Sequence, residues 1–356
     1  MGILMEKREK RPNTLYLVVP CYNEEEVLPK TAQVMQDKLD RLTADRKVSS
    51  QSKIMFVNDG SRDATWNLIH GLCGQNPVFC GLSFSRNYGH QSAILAGMMA
   101  ARAHADMVVT IDADLQQDIE ALDRFLVCYQ EGCEIVYGVR NDRNTDGFFK
   151  KTTANIFYGL MHLMGCNVMS NHADYRLLSK RALDALAEYQ EVNLFLRGLI
   201  PTMGFQSDVV YFDVKEREAG SSKYTFGKML TLATDGITSM STRPIQLITC
   251  MGFAVVLFSF IMIIYCLVDW AFGNNIPGYT TSLIISLLMG GLTIFSLGIV
   301  GEYVGKIYLE TKARPRYIVE SFVWKEAKEK TKNSDNSVPF NRSGKDGLTE
   351  QKDENA

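Results

Sequence analysis

The stretch MVVTIDADLQ, residues 107–116, is an apolar run that ends in two aspartates and indicates both a strand and a site. Side chains of an extended segment alternate between two faces, so Asp112 and Asp114 should face one space while Ala113 faces the packing side. Mg²⁺ is usually held by one or two protein carboxylates together with substrate phosphates and water. The pair therefore predicts half of a divalent-cation site. The alternative is a solvated acidic turn, which a short motif alone does not exclude.

Four more short apolar runs have the character of strands, and segments with helical periodicity lie between them. The predicted strands are residues 15–19, 54–57, 78–84, 107–111 and 135–137. Alternating strands and helices are typical of an α/β domain with a mostly parallel sheet. Ligands of such sheets bind at the carboxyl ends of the strands.

Polar clusters follow the first four predicted strands. They are Pro20-Cys21-Tyr22-Asn23-Glu24, Asn58-Asp59-Gly60-Ser61, Ser85-Arg86-Asn87-Tyr88-Gly89 and the Asp112/Asp114 pair. Each also has a local interpretation, since Asn23 and Asp63 are suited to cap helices and Asp-Gly is a common turn pair. Because four such clusters would meet at one edge of the sheet, we predict a single binding site there.

Two uncharged stretches, at about residues 247–268 and 281–300, are long enough to cross a bilayer. As a helix the first would span about 33 Å, against a hydrocarbon core of about 30 Å. The alternative is a buried helix pair of a soluble protein, but such helices normally have a polar face and these have almost none. Arg243 precedes the pair and further basic residues follow it, so the positive-inside rule predicts that both termini are cytoplasmic. The following basic residues are Lys306, Lys312, Arg314 and Arg316.

Composition excludes some classes of function for this chain of 356 residues. A net charge of −2 gives no support for a nucleic-acid partner. The eight cysteines contain no CxxC pair, which indicates neither a disulfide framework nor a zinc site and fits a reducing compartment. Residues 1–12 are charged and lack the apolar segment of a secretory signal.

Six motifs occur in the order known from one enzyme family. They are Val19-Pro20-Cys21-Tyr22-Asn23-Glu24, Asn58-Asp59-Gly60-Ser61-Arg62-Asp63-Ala64-Thr65, Ser85-Arg86-Asn87-Tyr88-Gly89, Asp112-Ala113-Asp114-Leu115-Gln116, Asp174-Tyr175-Arg176-Leu177-Leu178 and Arg217-Glu218-Ala219-Gly220-Ser221-Ser222-Lys223-Tyr224. Over roughly residues 15–323 the chain resembles the polyprenyl-phosphate glycosyltransferases of glycosyltransferase family two, which are related to dolichyl-phosphate mannose synthase. Within them it is most similar to the bactoprenol glucosyltransferase branch. Asn58 departs from the family, in which many relatives carry an aspartate that contacts the nucleotide base.

The resemblance implies a nucleotide-sugar-binding domain of the A-type glycosyltransferase fold, followed by interfacial helices and a transmembrane helix pair. The implied segments are an N-terminal extension (1–12), a catalytic domain (13–223), an interfacial helix (224–243), the membrane helix pair (244–302), a juxtamembrane segment (303–330) and a polar, disordered tail (331–356). A further interfacial stretch is expected at about residues 303–322. The protein would be a multi-pass protein of the cell membrane, with its catalytic domain and both termini in the cytoplasm.

The donor implied by the resemblance is a UDP-sugar, and the acceptor is undecaprenyl phosphate. Glucose is the first expectation for the sugar, with N-acetylglucosamine, galactose or a modified arabinose as alternatives, and transfer would invert the anomeric carbon. The nucleotide would contact Pro20, Tyr22, Asn23, Glu24, Asn58, Asp59 and Asp112. Mg²⁺ or Mn²⁺ would be held by Asp112, Asp114 and Gln116.

Asp174 matches the position of a catalytic base or acceptor-orienting carboxylate in the family, and Asp114 is the second catalytic candidate. The alternative for Asp174 is structural pairing with Arg176, since paired charges are often structural. Arginine and lysine suit a phosphate acceptor because their hydrogen bonds to it are charge-assisted. The candidates for binding the acceptor phosphate are Arg140, Arg176, Arg217, Ser222 and Lys223. A solvated charge run is the alternative for residues 217–223.

Two other functions are alternatives to a polyprenyl-phosphate glycosyltransferase. A processive polysaccharide synthase would carry a Gln-x-x-Arg-Trp motif, but none of the tryptophans, Trp66, Trp270 and Trp324, follows an arginine. A non-catalytic membrane protein that binds a nucleotide sugar is a second alternative. Glycines between residues 290 and 305 would permit close helix packing and hence a homo-oligomer.

Overall fold

The computed structural model describes residues 12–141, 172–192, 194–213, 237–238, 241–272 and 278–325, together with Gly159 and Met164. Almost all of the predicted N-terminal extension, most of the predicted interfacial helix and the predicted disordered tail lie outside these residues. So do Arg217, Ser222 and Lys223, three of the five candidates for the acceptor phosphate.

Strands and helices alternate through the first part of the chain. The strands are β1 (Leu15–Cys21), β2 (Lys53–Asn58), β3 (Phe79–Phe84), β4 (Met107–Thr110), β5 (Ile135–Arg140), β6 (His172–Ser179) and β7 (Ser207–Phe212). The helices are α1 (Leu28–Ala44), α2 (Thr65–Gln75), α3 (His90–Ala101), α4 (Leu122–Gln130), α5 (Lys180–Glu188) and α6 (Leu196–Thr202). Two long helices, α7 (Arg243–Ala271) and α8 (Tyr279–Thr311), precede a last strand, β8 (Val319–Val323).

The described strands form one eight-stranded sheet in the order β7-β5-β6-β4-β1-β2-β3-β8. Its central strands β4, β1, β2 and β3 are parallel, β5 and β7 are parallel, and β6 and β8 run antiparallel to their neighbours. The five predicted strands and the mostly parallel α/β class are confirmed. Strand β6 was missed because its run HADYRLLS is interrupted by two charged residues, which prove to be buried together.

Two cores cover the two faces of the sheet, and β1 shows why its sequence is apolar throughout. Leu15, Leu17 and Val19 pack into one core with α1, α2 and α4. Tyr16 and Val18 pack into the other core with α3, α5 and α6. Because both faces are covered by helices, each strand position must be apolar rather than every second one.

Part of the segment that was predicted to be juxtamembrane, residues 303–330, belongs to the sheet. Helix α8 continues to Thr311, and β8 then pairs antiparallel with β3, with Leu82 opposite Phe322. Without β8, strand β3 would present an unpaired edge, and covering such edges is a common requirement of sheets. The chain therefore returns to the sheet after both long helices.

Helices α7 and α8 are long and apolar enough to cross a membrane, judged by length and composition. The candidate membrane spans are Arg243–Met262 in α7 and Leu288–Thr311 in α8. The most apolar part of each span has no buried residues. Large apolar side chains such as Phe253 (72% exposed) and Ile294 (73% exposed) face outward. A buried helix pair of a soluble protein would hide these side chains, so the exposure disfavours that alternative.

Candidate active site

The loops that follow β1 and β2 are tied together by Asn23. Its backbone is in the left-handed region (φ 55°), and its N–H donates to Ser61 Oγ at 3.0 Å. The N–H of Arg62 donates to Asn23 Oδ1 at 2.9 Å. Asn23 therefore joins two loops instead of capping α1, and it presents the exposed Tyr22 beside them.

Asn58 is buried and both ends of its side-chain amide are occupied by protein groups. Its Nδ2 donates to Ser83 Oγ at 2.9 Å, and its Oδ1 accepts the N–H of Ser61 at 3.2 Å. The side chain is only 3% exposed, which leaves little of its amide accessible to a nucleotide base. Asn58 therefore holds the turn after β2, and its predicted contact with the nucleotide base stays a prediction.

Asp59 grips the loop that leads into α3. One of its carboxylate oxygens accepts the N–H of Tyr88 at 2.7 Å, and the other accepts the N–H of Gly89 at 3.0 Å. Burial raises the pKa of Asp59 by more than these two bonds lower it. The loops also approach closely at Gly60 (φ 63°), where a Cβ would lie 2.3 Å from the carbonyl carbon of Arg86. Asp59 thus fixes the start of α3, because each of its two oxygens accepts a backbone N–H of the preceding loop.

Asp112 and Asp114 follow β4, which ends at Thr110. Ala113 is buried in the core while Asp112 and Asp114 are partly exposed, so the predicted alternation is confirmed. Gln117 holds Asp112 from the buried side, because its Nε2 donates to Asp112 Oδ2 at 2.6 Å and its Oε1 accepts the N–H of Asp112 at 3.0 Å. Gln116 is partly exposed, and its N–H donates to Asp114 Oδ1 at 3.2 Å.

His90, the first residue of α3, lies between two carboxylates. Its Nε2 is 3.5 Å from Asp112 Oδ1 and 3.6 Å from Asp174 Oδ2, and its side chain is about half exposed. Burial lowers the pKa of His90, but the hydrogen bond to Asp174 and the charges of both carboxylates outweigh burial and raise it. His90 therefore connects the motif that follows β4 with strand β6.

Asp174 is buried between two arginines. Arg176 pairs with its Oδ1 and donates to the carbonyl of Leu196 at 3.3 Å. Arg197, on α6, donates through Nε to Oδ1 at 3.2 Å and through Nη2 to Oδ2 at 2.8 Å. Burial alone would raise the pKa of Asp174, but His90 and the two arginines hold it well below its usual range. Asp174 is therefore an ionised anchor of a charged cluster.

Arg176, predicted to bind the acceptor phosphate, lies in the core of the domain, and that role stays a prediction which its burial does not favour. Its side chain is fully buried, and its charge is taken up by Asp174. Arg140, at the end of β5, is partly exposed and its charge acts on Asp112. Burial raises the pKa of Asp112 and the charges of Asp174 and Asp114 add to this rise, whereas His90 and Arg140 oppose it.

Three residues of this site were missed by sequence reasoning. His90 had a readable signal, since it directly follows the polar cluster after β3. Gln117 and Arg197 had none, because their roles depend on side-chain contacts with Asp112 and Asp174.

The carboxylates of Asp112 and Asp114 fit a divalent cation as half of a site. Among the described residues no group of three or more His, Cys, Asp and Glu side chains could enclose a metal ion. Two partly exposed aspartates, one of them oriented by Gln117, are the protein contribution expected where substrate phosphates and water complete the coordination.

Comparison with known proteins adds a family to this geometry. Residues 16–187 match Glycosyl transferase family 2. The uncharacterized glycosyltransferase YkoT of Bacillus subtilis (strain 168) is 45% identical over 312 residues, which cover 88% of this chain and 93% of that protein. The bactoprenol glucosyl transferase of Shigella phage SfX is 38% identical over 307 residues, covering 86% of this chain and 98% of that protein.

Solved structures show lower similarity. Glucosyl-3-phosphoglycerate synthase from Mycobacterium tuberculosis, in complex with phosphoglyceric acid, is 18% identical with a TM-score of 0.42, covering 64% of this chain and 80% of that chain. The mannosyltransferase PcManGT from Pyrobaculum calidifontis, in complex with GDP-Man and Mn²⁺, is 15% identical with a TM-score of 0.42. The match covers 85% of this chain and 87% of that chain. The extended sequence identity to relatives decides the assignment: this chain belongs to glycosyltransferase family two, is a glycosyltransferase, and groups with the bactoprenol glucosyl transferases.

Proposed function

We propose that this protein transfers a sugar, with glucose as the first candidate, from a UDP-sugar to undecaprenyl phosphate. The observation that carries the proposal is the meeting of two oppositely charged groups at the carboxyl edge of the sheet. Asp112, a candidate metal ligand, lies next to a cluster formed by His90, Asp174 and Arg197. Relatives named bactoprenol glucosyl transferases support a polyprenyl acceptor.

The donor half of the proposed site consists of Asp112 and Asp114, with Gln116 beside them. These residues would hold Mg²⁺ or Mn²⁺, and the cation would offset the charge that builds on the departing nucleotide diphosphate. Tyr22 and Glu24, in the loop after β1, remain the candidates for contact with the nucleoside, next to the buried Pro20. Asn23 and Asp59 support this surface by fixing the loops around it.

The acceptor half of the proposed site is formed by cations around Asp174. A phosphate monoester has a second pKa of about 6, so the acceptor is largely ionised at neutral pH and requires orientation more than deprotonation. Arg197 is 28% exposed and His90 is 47% exposed, so both can contact a phosphate while Asp174 holds them. Arg140 is the third candidate, and Arg217, Ser222 and Lys223 remain predictions outside the described residues.

The proposed reaction is a single displacement. An oxygen of the lipid phosphate attacks the anomeric carbon, the bond from that carbon to the UDP oxygen breaks, and the electron pair leaves with UDP. Attack from the face opposite the leaving group inverts the anomeric configuration. In this scheme Asp174 acts by holding Arg197 and His90 instead of taking a proton, which agrees with its strongly lowered pKa.

The reaction is proposed to take place at the cytoplasmic face of the membrane. Strands from before α7 and strand β8 from after α8 lie in one sheet, which supports placing both ends of the helix pair on the same side of the membrane as the site. The basic residues Lys312, Arg314 and Arg316 after α8 support a cytoplasmic side. The exposed apolar surfaces of α7 and α8 support insertion.

The deciding experiment incubates the purified full-length protein with undecaprenyl phosphate, Mg²⁺ or Mn²⁺, and a labelled donor. The donors are UDP-glucose, UDP-N-acetylglucosamine, UDP-galactose and a UDP-linked modified arabinose, each tested separately. We expect one labelled glycolipid, formed with UDP-glucose, and none when a chelator is present. Product from another donor would correct the sugar. Binding of donors without any lipid product would instead favour the non-catalytic alternative.

A further inference from the structure

An aromatic stack connects the segment after α8 to the loop between β3 and α3, which directly precedes His90. The ring of Tyr317 lies on that of Phe84, with ring centroids 5.2 Å apart and planes inclined by 17°. Phe84 in turn meets Tyr88 edge to face, with centroids 5.6 Å apart. The guanidinium of Arg86 lies over the ring of Tyr88, 4.1 Å from its centroid. Such aromatic pairs are directional, so each ring restricts the next.

The loop between β3 and α3 is held from two sides. On the side of β2, Asp59 accepts the N–H groups of Tyr88 and Gly89. On the side of β8, the N–H of Ser85 donates to the carbonyl of Ile318 at 3.1 Å, next to Tyr317. His90 follows this loop directly and makes its contacts to Asp112 and Asp174 from there.

The contact on the side of β8 comes from the segment that follows α8, the helix proposed to cross the membrane. α8 ends at Thr311, and Tyr317 lies between that end and β8. Arg316 anchors the connection by donating to the carbonyl of Tyr189. A change in the position of α8 would therefore reach the β3–α3 loop through a short connection.

We propose that Tyr317 is a positioning residue for the transfer reaction, which holds the β3–α3 loop and thereby places His90 between Asp112 and Asp174. The inference rests on the proposed function, because it assigns Tyr317 an effect on the same site. The ring supplies the effect and the hydroxyl is not required. A displacement of about 1 Å at a reacting centre can lower a rate about 100-fold.

The test is a double-mutant cycle on the full-length protein in lipid nanodiscs, with kcat and KM for donor and acceptor measured for each variant. Tyr317→Ala should lower kcat about tenfold or more, and Tyr317→Phe should retain it. His90→Ala should lower kcat at least as much. If Tyr317 acts through His90, the double variant should be no slower than His90→Ala alone.

Trp324→Leu provides the matched control. Trp324 is also partly buried and packs on the same core as Tyr317, but it lies at the other end of strand β8, where its ring contacts Tyr16 and His104. The Trp324→Leu variant should have a lower melting temperature than the unchanged protein, and kcat of its folded form should not be lowered. Hydrogen exchange of the peptide that covers residues 85–91 supplies a readout independent of activity, and it should accelerate in Tyr317→Ala but not in Trp324→Leu.

The two readouts separate the possible failures. Absence of lipid product with the unchanged protein overturns the proposed function, while the exchange measurement still tests whether Tyr317 holds the loop. Additive losses in the cycle, an inactive Tyr317→Phe or unchanged exchange at residues 85–91 overturn the role of Tyr317. A His90→Ala variant with full turnover overturns it as well.

Discussion

At the scale of single residues, the site depends on how buried charges are satisfied. Asp174 and Arg176 are two positions apart in β6, and both side chains are almost completely buried. A buried ion pair is costly to break, because removal of one partner leaves the other charge without compensation. The same carboxylate also contacts Arg197 and His90, so the structural ion pair and the proposed acceptor site share one side chain.

This arrangement predicts that Asp174→Asn mainly destabilises the protein. The free energy of unfolding should fall by about 3–5 kcal/mol, because the substitution leaves Arg176 buried without a counter-charge. Adding Arg176→Met should restore much of the stability while turnover stays low, since Arg197 and His90 still lack their anchor. Thermal unfolding and lipid-dependent turnover would be measured in parallel. Full stability of Asp174→Asn together with lost turnover would favour the catalytic-base role instead.

A second prediction concerns the carboxylate of Asp112. Asp112→Asn should nearly abolish turnover without loss of folding, because it removes charge from a partly exposed loop. Gln117→Leu should cost less, about 10–100-fold, as expected for a side chain that orients a metal ligand. Asp184→Asn, an exposed position on α5, serves as the control. Equal turnover of Asp112→Asn and the unchanged protein would refute the cation site.

At the scale of secondary-structure elements, Lys38 ties α1 to the first turn of α4 and to the residues directly before it. The side chain of Lys38 is only 3% exposed, and its Nζ lies 2.5 Å from both Glu120 Oε2 and Asp123 Oδ2. Partial burial raises the pKa of Asp123, but the bonds from Lys38 and Lys47 outweigh it and lower the pKa. A carboxylate with a lowered folded-state pKa contributes stability above its unfolded value of about 3.9, and this contribution is lost as the pH falls through the folded value.

Lys38→Met should therefore lower stability in a pH-dependent way. At neutral pH we expect a loss of about 1.5 kcal/mol, the lower end for hydrogen bonds to charged groups, because both acidic partners are partly exposed. The difference in melting temperature between Lys38→Met and the unchanged protein should stay constant from pH 6 to about pH 5 and narrow as the pH falls from there to pH 3. Thermal unfolding followed across this range checks it, and a constant difference would show that lost packing, not charge, is responsible.

At the scale of the whole molecule, β8 determines how the two long helices relate to the sheet. The chain leaves the sheet before α7 and rejoins its edge after α8. Both connections must then lie on one side of any membrane that the helices cross. This argument is independent of the basic residues that led to the same expectation from sequence.

Reporter fusions test the arrangement directly. Tags at residue 1 and residue 356 should both report the cytoplasm, whereas a tag inserted after Asn275, between α7 and α8, should report the opposite side. Protease protection of the same fusions in sealed vesicles provides an independent measurement. A cytoplasmic signal at the inserted tag would mean that the helices do not span the membrane.

Local patterns in the sequence determined the elements and the edge at which the site lies. The five apolar runs, the two long uncharged stretches and the paired Asp112 and Asp114 were readable because periodicity and length act over neighbouring residues. The tertiary structure alone decided the rest. Asp174, Arg176 and Arg197 form one cluster, Asn58 is buried, and β8 completes the sheet, because burial and ion pairing depend on groups that are distant in the chain and meet only when it folds.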